Sequence, residues 1–332
     1  MRIAIASDKP AVVADLRRLL AGEPAHHVLW VAADGVEAVE RCALQAPDVL
    51  LLDLDLAPMG GVEATRLIMQ FSPCAIMLVA ADLEQGTSRV FEAMGHGAVD
   101  AMQLPAALAG NPGQTLLRKL RNLAWLNAPD DSRPGAAWSP RPVLRPASRL
   151  VAIGASAGGP AALAELFAGL PESFSAAIVV VQHVEDAFTR GMADWLTTQS
   201  PIPVRLARGD ETPQPGSILL AGGSNHLRLL KSGELNYSEE PCSHVYRPSI
   251  DVFFESVAQN WTGEAVGVLL TGMGRDGAQG LKLMRKRGFL TLAQDEGSCA
   301  VYGMPKAAAA LGAAAEIRPL GEIARRLCEL YG

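Results

Sequence analysis

The chain has no surplus of positive charge: 29 Lys and Arg stand against 35 Asp and Glu, a formal net charge of −6. Without that surplus little is available to displace counterions from a phosphate backbone, so no nucleic-acid partner is expected. Cysteine is sparse as well. Cys42, Cys74, Cys242, Cys299 and Cys328 are odd in number and scattered, with no C-x-x-C pair. That argues against a disulfide framework and a zinc site, and fits a reducing cytoplasm. Long apolar runs are also missing. Ala177–Val181 and Ala265–Leu270 are strand-length, far short of the roughly 20 residues that span a bilayer. Asp8 interrupts the opening MRIAIAS before it could serve as the core of a secretory leader. With 49% hydrophobic and 19% charged residues over 332 positions, the expectation is a soluble, cytoplasmic, globular chain of two domains, each with its own core.

The order of apolar runs gives the organisation. Residues 1–126 alternate strand-like runs (Arg2–Ala6, His27–Ala32, Val49–Leu54, Ala75–Ala80, Val99–Gln103) with amphipathic stretches such as Ala11–Ala21, Gly35–Ala46 and Gly113–Trp125. Strands apolar along their whole length and separated by helices predict an α/β domain with a parallel sheet covered on both faces. Residues 127–149 carry Pro129, Pro134, Pro140, Pro142 and Pro146 among Asp, Ser and Arg, the composition of an extended linker. From residue 150 to 332 the alternation resumes. Leu150–Ile153, Ala177–Gln182, Ala265–Leu270 and Gly288–Ala293 read as strands. Phe188–Gln199, Pro248–Trp261, Ala278–Arg287 and Gly321–Leu330 read as helices, as does the stretch ending at Gly169. The part from Ile202 to Ser238 reads as short β segments with tight turns (PQPGS, AGGSN, KSGE). A second, Rossmann-like doubly wound α/β domain is expected.

Three residues of complementary chemistry follow strands in this second domain. Gly154-Ala-Ser156-Ala-Gly158 fits G-x-S-x-G between a strand and a helix, where small neighbours let the chain turn sharply and expose a hydroxyl near a helix N-terminus. Such a turn also serves to bind phosphate or simply to turn. His183 ends the run AIVVVQ, at the strand end where open α/β sheets place ligands; a solvated loop histidine is the ordinary alternative. Asp276 follows AVGVLL in Thr271-Gly-Met-Gly-Arg-Asp276-Gly, where it could equally cap the helix starting near Ala278. Together they make a nucleophile, a base and the carboxylate that orients the base. Backbone N–H groups after Ser156 and near Met273 are the natural oxyanion donors. The order Ser…His…Asp differs from the Ser…Asp/Glu…His of α/β-hydrolases, so a lipase-like enzyme is not expected.

Five blocks carry a resemblance. They are Ser156-Ala-Gly-Gly-Pro160, Val181-Gln-His183, Tyr246-Arg-Pro-Ser-Ile-Asp-Val-Phe-Phe254, Thr271-Gly-Met-Gly-Arg-Asp276-Gly-Ala, and Ser298-Cys-Ala-Val-Tyr-Gly-Met-Pro-Lys306. With the turn-rich stretch from Gly209 to His226, they resemble the chemotaxis protein-glutamate methylesterases, the CheB family. The resemblance implies a Ser156–His183–Asp276 triad, with Met273 contributing to the oxyanion site. It also implies hydrolysis of glutamate γ-methyl esters and deamidation of glutamines on the cytoplasmic domains of chemoreceptors. No cofactor is implied for hydrolysis, and the membrane is met only through the receptor.

The N-terminal half is similar to a response-regulator receiver domain, which implies a flavodoxin-like five-stranded parallel sheet. Asp53, followed by Met59-Gly-Gly61, matches the phospho-acceptor, implying a CheA-type histidine kinase as partner and Mg²⁺ held by Asp8 and Asp53. Three positions depart from the pattern. Ser7 stands where a second acid is usual, Ala80-Ala81 where a hydroxyl is, and Leu104-Pro105 where Lys-Pro is. Fewer anionic ligands weaken Mg²⁺ binding, so phosphorylation of Asp53 with altered metal affinity and altered coupling is the expectation. Ser72-Pro-Cys-Ala-Ile and Val90-Phe-Glu-Ala-Met-Gly-His-Gly-Ala are similar to methylesterases of Wsp-type surface-sensing pathways. Two other readings stay open at this level. One is a nucleotide-binding module using Gly154–Gly159 with Glu185 or Asp186, against which Ser156 breaks the G-x-G-x-x-G pattern. The other is a catalytically silent signalling module with a degenerate receiver.

Overall fold

The computed structural model describes residues 1–80, 87–104, 111–125, 149–244 and 246–332. Two compact units, Met1–Ala128 and Pro129–Gly332, make up the chain. Of the expected linker, only Arg149 lies among the described residues, and it opens a strand.

The first unit alternates β1 (Arg2–Ala6), α1 (Pro10–Ala21), β2 (His27–Ala32), α2 (Gly35–Leu44), β3 (Val49–Asp53), α3 (Gly61–Phe71), β4 (Ala75–Ala80), α4 (Thr87–Gly95), β5 (Asp100–Gln103) and α5 (Asn111–Trp125). Its strands pair in parallel in the order β2-β1-β3-β4-β5. Ile3, Ala4, Ile5, Leu50, Leu51 and Leu52 are wholly buried, because helices cover both faces of β1 and β3, two of the three inner strands. The chain winds to one side of β1 and then returns to β3 on the other. The carboxyl ends of β1 and β3 therefore flank a topological switch point, and Asp53 closes β3 there.

The second unit runs β6 (Arg149–Ala155), α6 (Gly159–Ala168), β7 (Ala177–Gln182), α7 (Asp186–Gln199), β8 (Val204–Leu206), β9 (Ile218–Leu220), β10 (His226–Leu229), β11 (Leu235–Ser238), α8 (Ile250–Asn260), β12 (Glu264–Leu269), α9 (Ala278–Arg287), β13 (Leu290–Gln294), α10 (Met304–Ala310), β14 (Glu316–Arg318) and α11 (Leu320–Tyr331). Seven strands form one parallel sheet in the order β14-β13-β12-β6-β7-β9-β8, and β10 and β11 form a separate antiparallel hairpin. One face of the sheet is sealed by Phe253, Phe254 and Val257 of α8 with Leu281 and Met284 of α9.

Three differences from the sequence reading have local causes. The helix expected from Pro248 starts at Ile250, because Ser249 is its cap and accepts the Val252 N–H at 3.4 Å. α10 carries no helical signal of its own, because at seven residues it is too short to show a clear helical period. β14, three residues of mixed exposure, has too little alternation to announce itself.

Candidate active site

β6 is the inner strand at which the winding reverses, with β7 on one side and β12 on the other. Ser156 leaves the carboxyl end of β6, His183 leaves β7, and Asp276 lies in the loop after β12. The three side chains meet. Ser156 Oγ is 3.1 Å from His183 Nδ1, and His183 Nε2 is 2.8 Å from Asp276 Oδ2. Ser156 and Asp276 are each 8% exposed, so the chain of contacts lies under the surface with an edge open.

The turn that presents Ser156 is held from both sides. Its N–H donates to Thr271 O at 3.0 Å, and its carbonyl accepts from Gly159 N–H at 2.7 Å and from Gln182 Nε2 at 2.8 Å. Gln182 Nε2 also donates to the His183 carbonyl at 3.0 Å, tying nucleophile turn and base together. The left-handed step falls on Gly158, at φ +72°. Among the described residues the only non-glycine with positive φ is Asp210, so Ser156 itself sits in ordinary backbone. That separates this turn from the strained nucleophile elbow of α/β-hydrolases. The glycines face protein: a Cβ on Gly154 would lie 2.3 Å from Ile250 Cγ2, and one on Gly159 would lie 2.0 Å from Gln182 Oε1. A loop packed this way leaves no cradle for a dinucleotide phosphate.

Asp276 caps a helix, though not the one adjacent in sequence. The cap of α9 is Gly277, with no side-chain bond. Asp276 instead sits on the first turn of α8. Its Oδ1 accepts from Ser249 Oγ at 2.9 Å and Asp251 N–H at 3.1 Å, and its Oδ2 accepts from Ile250 N–H at 2.8 Å. Burial opposes its ionisation, but hydrogen bonding and attraction to His183 and the Ile250 and Asp251 amides outweigh it and lower the carboxyl to about 2. Beside it, Asp251 is raised to about 6 by burial and by the Asp276 charge, against the Gly280 N–H that it accepts at 2.7 Å. A carboxylate on Nε2 places the ring proton there and leaves the Nδ1 lone pair facing the serine. This is the reverse of the nitrogen assignment in the chymotrypsin template.

Besides Gln182, sequence reasoning missed four supporting residues. Ser249 anchors Asp276, and buried His226 accepts the Ser249 N–H on Nδ1 at 3.1 Å. Tyr246 stacks on the His183 ring with centroids 4.2 Å apart and planes at 8°. Thr271 Oγ1 donates to the carbonyl of Ala157 at 3.0 Å. Only Ser249 had a local signal, as a serine just before a helical run. The N–H groups of Ala157 and Met273 make no hydrogen bond among the described residues; Ala157 follows the serine in the chain, and Met273 follows Gly272, which packs against it. A Cβ on Gly272, the neighbour of Met273, would stand 2.7 Å from Ser156 Cβ and 2.6 Å from Met304 Sδ. Gly272→Ala is therefore expected to displace the nucleophile and cut kcat about 100-fold. Melting temperature and ester-hydrolysis kinetics on the purified variant check this.

In the receiver unit Asp53 is buried at the end of β3, hydrogen-bonded by Ser7 Oγ at 2.9 Å and by Asp55 N–H at 3.1 Å. Lys9 Nζ lies 3.2 Å from Asp53 Oδ1 and 3.1 Å from Oδ2. Asp8 is exposed, while Ala80 and Leu104 are buried apolar side chains. No cluster of three or more acids, histidines or cysteines fit for a metal occurs among the described residues. An ammonium lies astride the Asp53 carboxylate, where a divalent cation would otherwise be held.

A hydroxyl, imidazole and carboxylate joined at the switch point of a doubly wound sheet, in a chain that also carries a receiver fold, define a class: a serine hydrolase carried with a response-regulator domain. Residues 151–327 match the CheB methylesterase family and residues 3–109 the response regulator receiver domain. The chain belongs to the CheB methylesterase family. It is 60% identical over 334 residues, all of both chains, to protein-glutamate methylesterase/protein-glutamine glutaminase 3 of Pseudomonas aeruginosa. It is 57% identical to protein-glutamate methylesterase/protein-glutamine glutaminase 2 of Cupriavidus metallidurans, over 343 residues covering 100% of this chain and 99% of that one. The crystal structure of the Thermotoga maritima CheB methylesterase catalytic domain aligns with a TM-score of 0.53 at 34% identity, covering 55% of this chain and 98% of that one.

Proposed function

We propose that this chain hydrolyses glutamate γ-methyl esters, releasing methanol, and deamidates glutamines on the cytoplasmic domains of chemoreceptors. The observation that carries the reading is the His183 ring bridging Ser156 at 3.1 Å and Asp276 at 2.8 Å. Ser156 Oγ attacks the γ-carbonyl carbon while His183 Nδ1 takes its proton. The carbonyl oxygen becomes an oxyanion, received by the unpaired N–H groups of Ala157 and Met273. As the tetrahedral intermediate collapses, the C–O bond to the methyl group's oxygen breaks and His183 returns the proton, so methanol leaves. Water then attacks the acyl-enzyme by the same route, freeing a glutamate side chain and the serine. A glutamine amide follows the identical path with ammonia as the leaving group. Asp53 is the phospho-acceptor of the receiver, charged by a CheA-type histidine kinase serving the same receptors in the cytoplasm. No described helix is long and apolar enough to cross a membrane, so on this reading the receptor provides the membrane contact.

The test is direct. Full-length protein is incubated with a receptor fragment carrying methyl-labelled glutamates and unmodified glutamines, with and without kinase and ATP. Labelled methanol and ammonia are the expected products, and kinase is expected to raise the rate for wild type but not for Asp53→Asn. Absence of both products would remove the enzymatic reading; an equal kinase response in the variant would remove the acceptor role alone.

A further inference from the structure

The acceptor carboxylate of the receiver is already engaged on both oxygens. Asp53 Oδ2 accepts from Ser7 Oγ at 2.9 Å and faces Lys9 Nζ at 3.1 Å; Oδ1 accepts from Asp55 N–H at 3.1 Å and from Lys9 Nζ at 3.2 Å. The Lys9 ammonium thus straddles the carboxylate. It also stands 3.8 Å from Asp55 Oδ2, and Asp55 Oδ1 pairs with the Arg89 guanidinium at 2.8 Å. The Asp53 and Asp55 carboxylates are thus each paired with a cation before anything binds.

A divalent ion would need several oxygen ligands close to 2.1 Å in near-octahedral array, with carboxylates offsetting its charge. The side chains around the acceptor offer a hydroxyl at Ser7 and two carboxylates, Asp53 and Asp55, each already shared with a cation, while Asp8 stands exposed beside them. A dication on the same oxygens would have to displace the Lys9 ammonium, which already lies within 3.2 Å of both of them. The positions that could otherwise grip a phosphoryl oxygen, Ala80 and Leu104, are buried and apolar. Among the described residues, Lys9 is the cation in direct contact with the acceptor.

We propose that Lys9 is the resident cation of this receiver, neutralising Asp53 before phosphoryl transfer and holding a phosphoryl oxygen after it, so that Asp53 is phosphorylated without a divalent metal. The inference rests on Asp53 being the phospho-acceptor. With acetyl phosphate as donor, an Asp53 oxygen forms a bond to phosphorus and the bond from phosphorus to the acetyl oxygen breaks, its electron pair leaving with acetate. The site gains negative charge in the step. Lys9 can meet that charge because its side chain is 37% exposed, and a flexible stem with three N–H donors can pivot from carboxylate to phosphoryl oxygen.

The experiment follows incorporation of radiolabelled phosphate from acetyl phosphate into the full-length chain, in excess EDTA and in excess Mg²⁺. Wild type, Lys9→Ala, Lys9→Arg and Asp53→Asn are compared, with Mn²⁺ binding followed by electron paramagnetic resonance. Wild type is expected to label in EDTA at a rate within about threefold of that in Mg²⁺. Lys9→Ala should lose at least about tenfold of the metal-free rate and gain Mn²⁺ affinity, while Lys9→Arg retains metal-free labelling. Labelling of wild type that requires Mg²⁺, or metal-free labelling unchanged in Lys9→Ala, would overturn the role of Lys9 and leave Asp53 as acceptor. No labelling of wild type under either condition, or undiminished labelling of Asp53→Asn, would overturn the acceptor reading and the inference with it.

Discussion

Replacing Ser156 with alanine is expected to lower methanol release by roughly 10⁴- to 10⁶-fold without unfolding the protein. The backbone bonds of the turn involve the Ser156 N–H and carbonyl, which alanine keeps. What disappears is the 3.1 Å contact from Oγ to His183 Nδ1, and with it the atom that forms the acyl-enzyme. The residue is nearly buried, so no neighbouring side chain is placed to substitute from solvent. Because nucleophile and base act as a unit, Ser156→Ala combined with His183→Ala should be no slower than Ser156→Ala alone. Methanol assay and circular dichroism on the single and double variants decide it: a loss under tenfold with fold intact would mean the hydroxyl is not the nucleophile.

Asp276→Asn should lose about 10⁴-fold in kcat and also stability, and the second effect distinguishes this site from a carboxylate that only orients a base. Asparagine would direct an N–H toward the oxygen's former partners, pushing the His183 proton to Nδ1, where it blocks acceptance from Ser156. Four donors converge on the carboxylate, from His183, Ser249, Ile250 and Asp251. An amide offers one oxygen to them, and the buried donors left over cost about 2–4 kcal/mol. For a domain of this size that is a fall in Tm of roughly 5–15 °C. With its folded pKa held down at about 2, the ionised carboxylate contributes stability above its ordinary pKa, and that contribution is lost as pH falls through about 2. The gap in Tm between wild type and variant should therefore persist at pH 7 and pH 5 and narrow towards pH 2. Asp251 has the opposite sign. Raised to about 6, it contributes fully below the ordinary carboxylate range and loses that contribution as pH rises through 6. A variant of normal stability across this range would show that Asp276 does not anchor α8.

How far the sequence reaches differs between the two sites. At the esterase centre each principal residue follows an apolar run, and parallel strands entered from one end all deliver their next residue to the same edge. That is why Ser156, His183 and Asp276 group together on sequence alone. Their supports could not. Tyr246, His226 and Thr271 lie in stretches whose local pattern says nothing about their partners, and Gln182 reads simply as the last residue of a strand. Asp276 was legible as a cap, yet the helix that it caps begins 26 residues earlier in the chain.

In the receiver, Asp53 announced itself by position, and Ser7, Ala80 and Leu104 by their departure from pattern. Lys9 carries no such signal, because a lysine before Pro10 looks like an exposed helix start. Chain direction and strand succession, and hence which residues emerge at the functional edges, are written in short-range apolar periodicity that any segment carries by itself. Which ring nitrogen faces the hydroxyl, which helix receives the carboxylate, and which ammonium lies on the acceptor depend on strand order and on side chains packed from distant segments. Those were decided only when the sheets closed, since the free energy of each such contact arises from burial and charge pairing between groups that local sequence does not bring together.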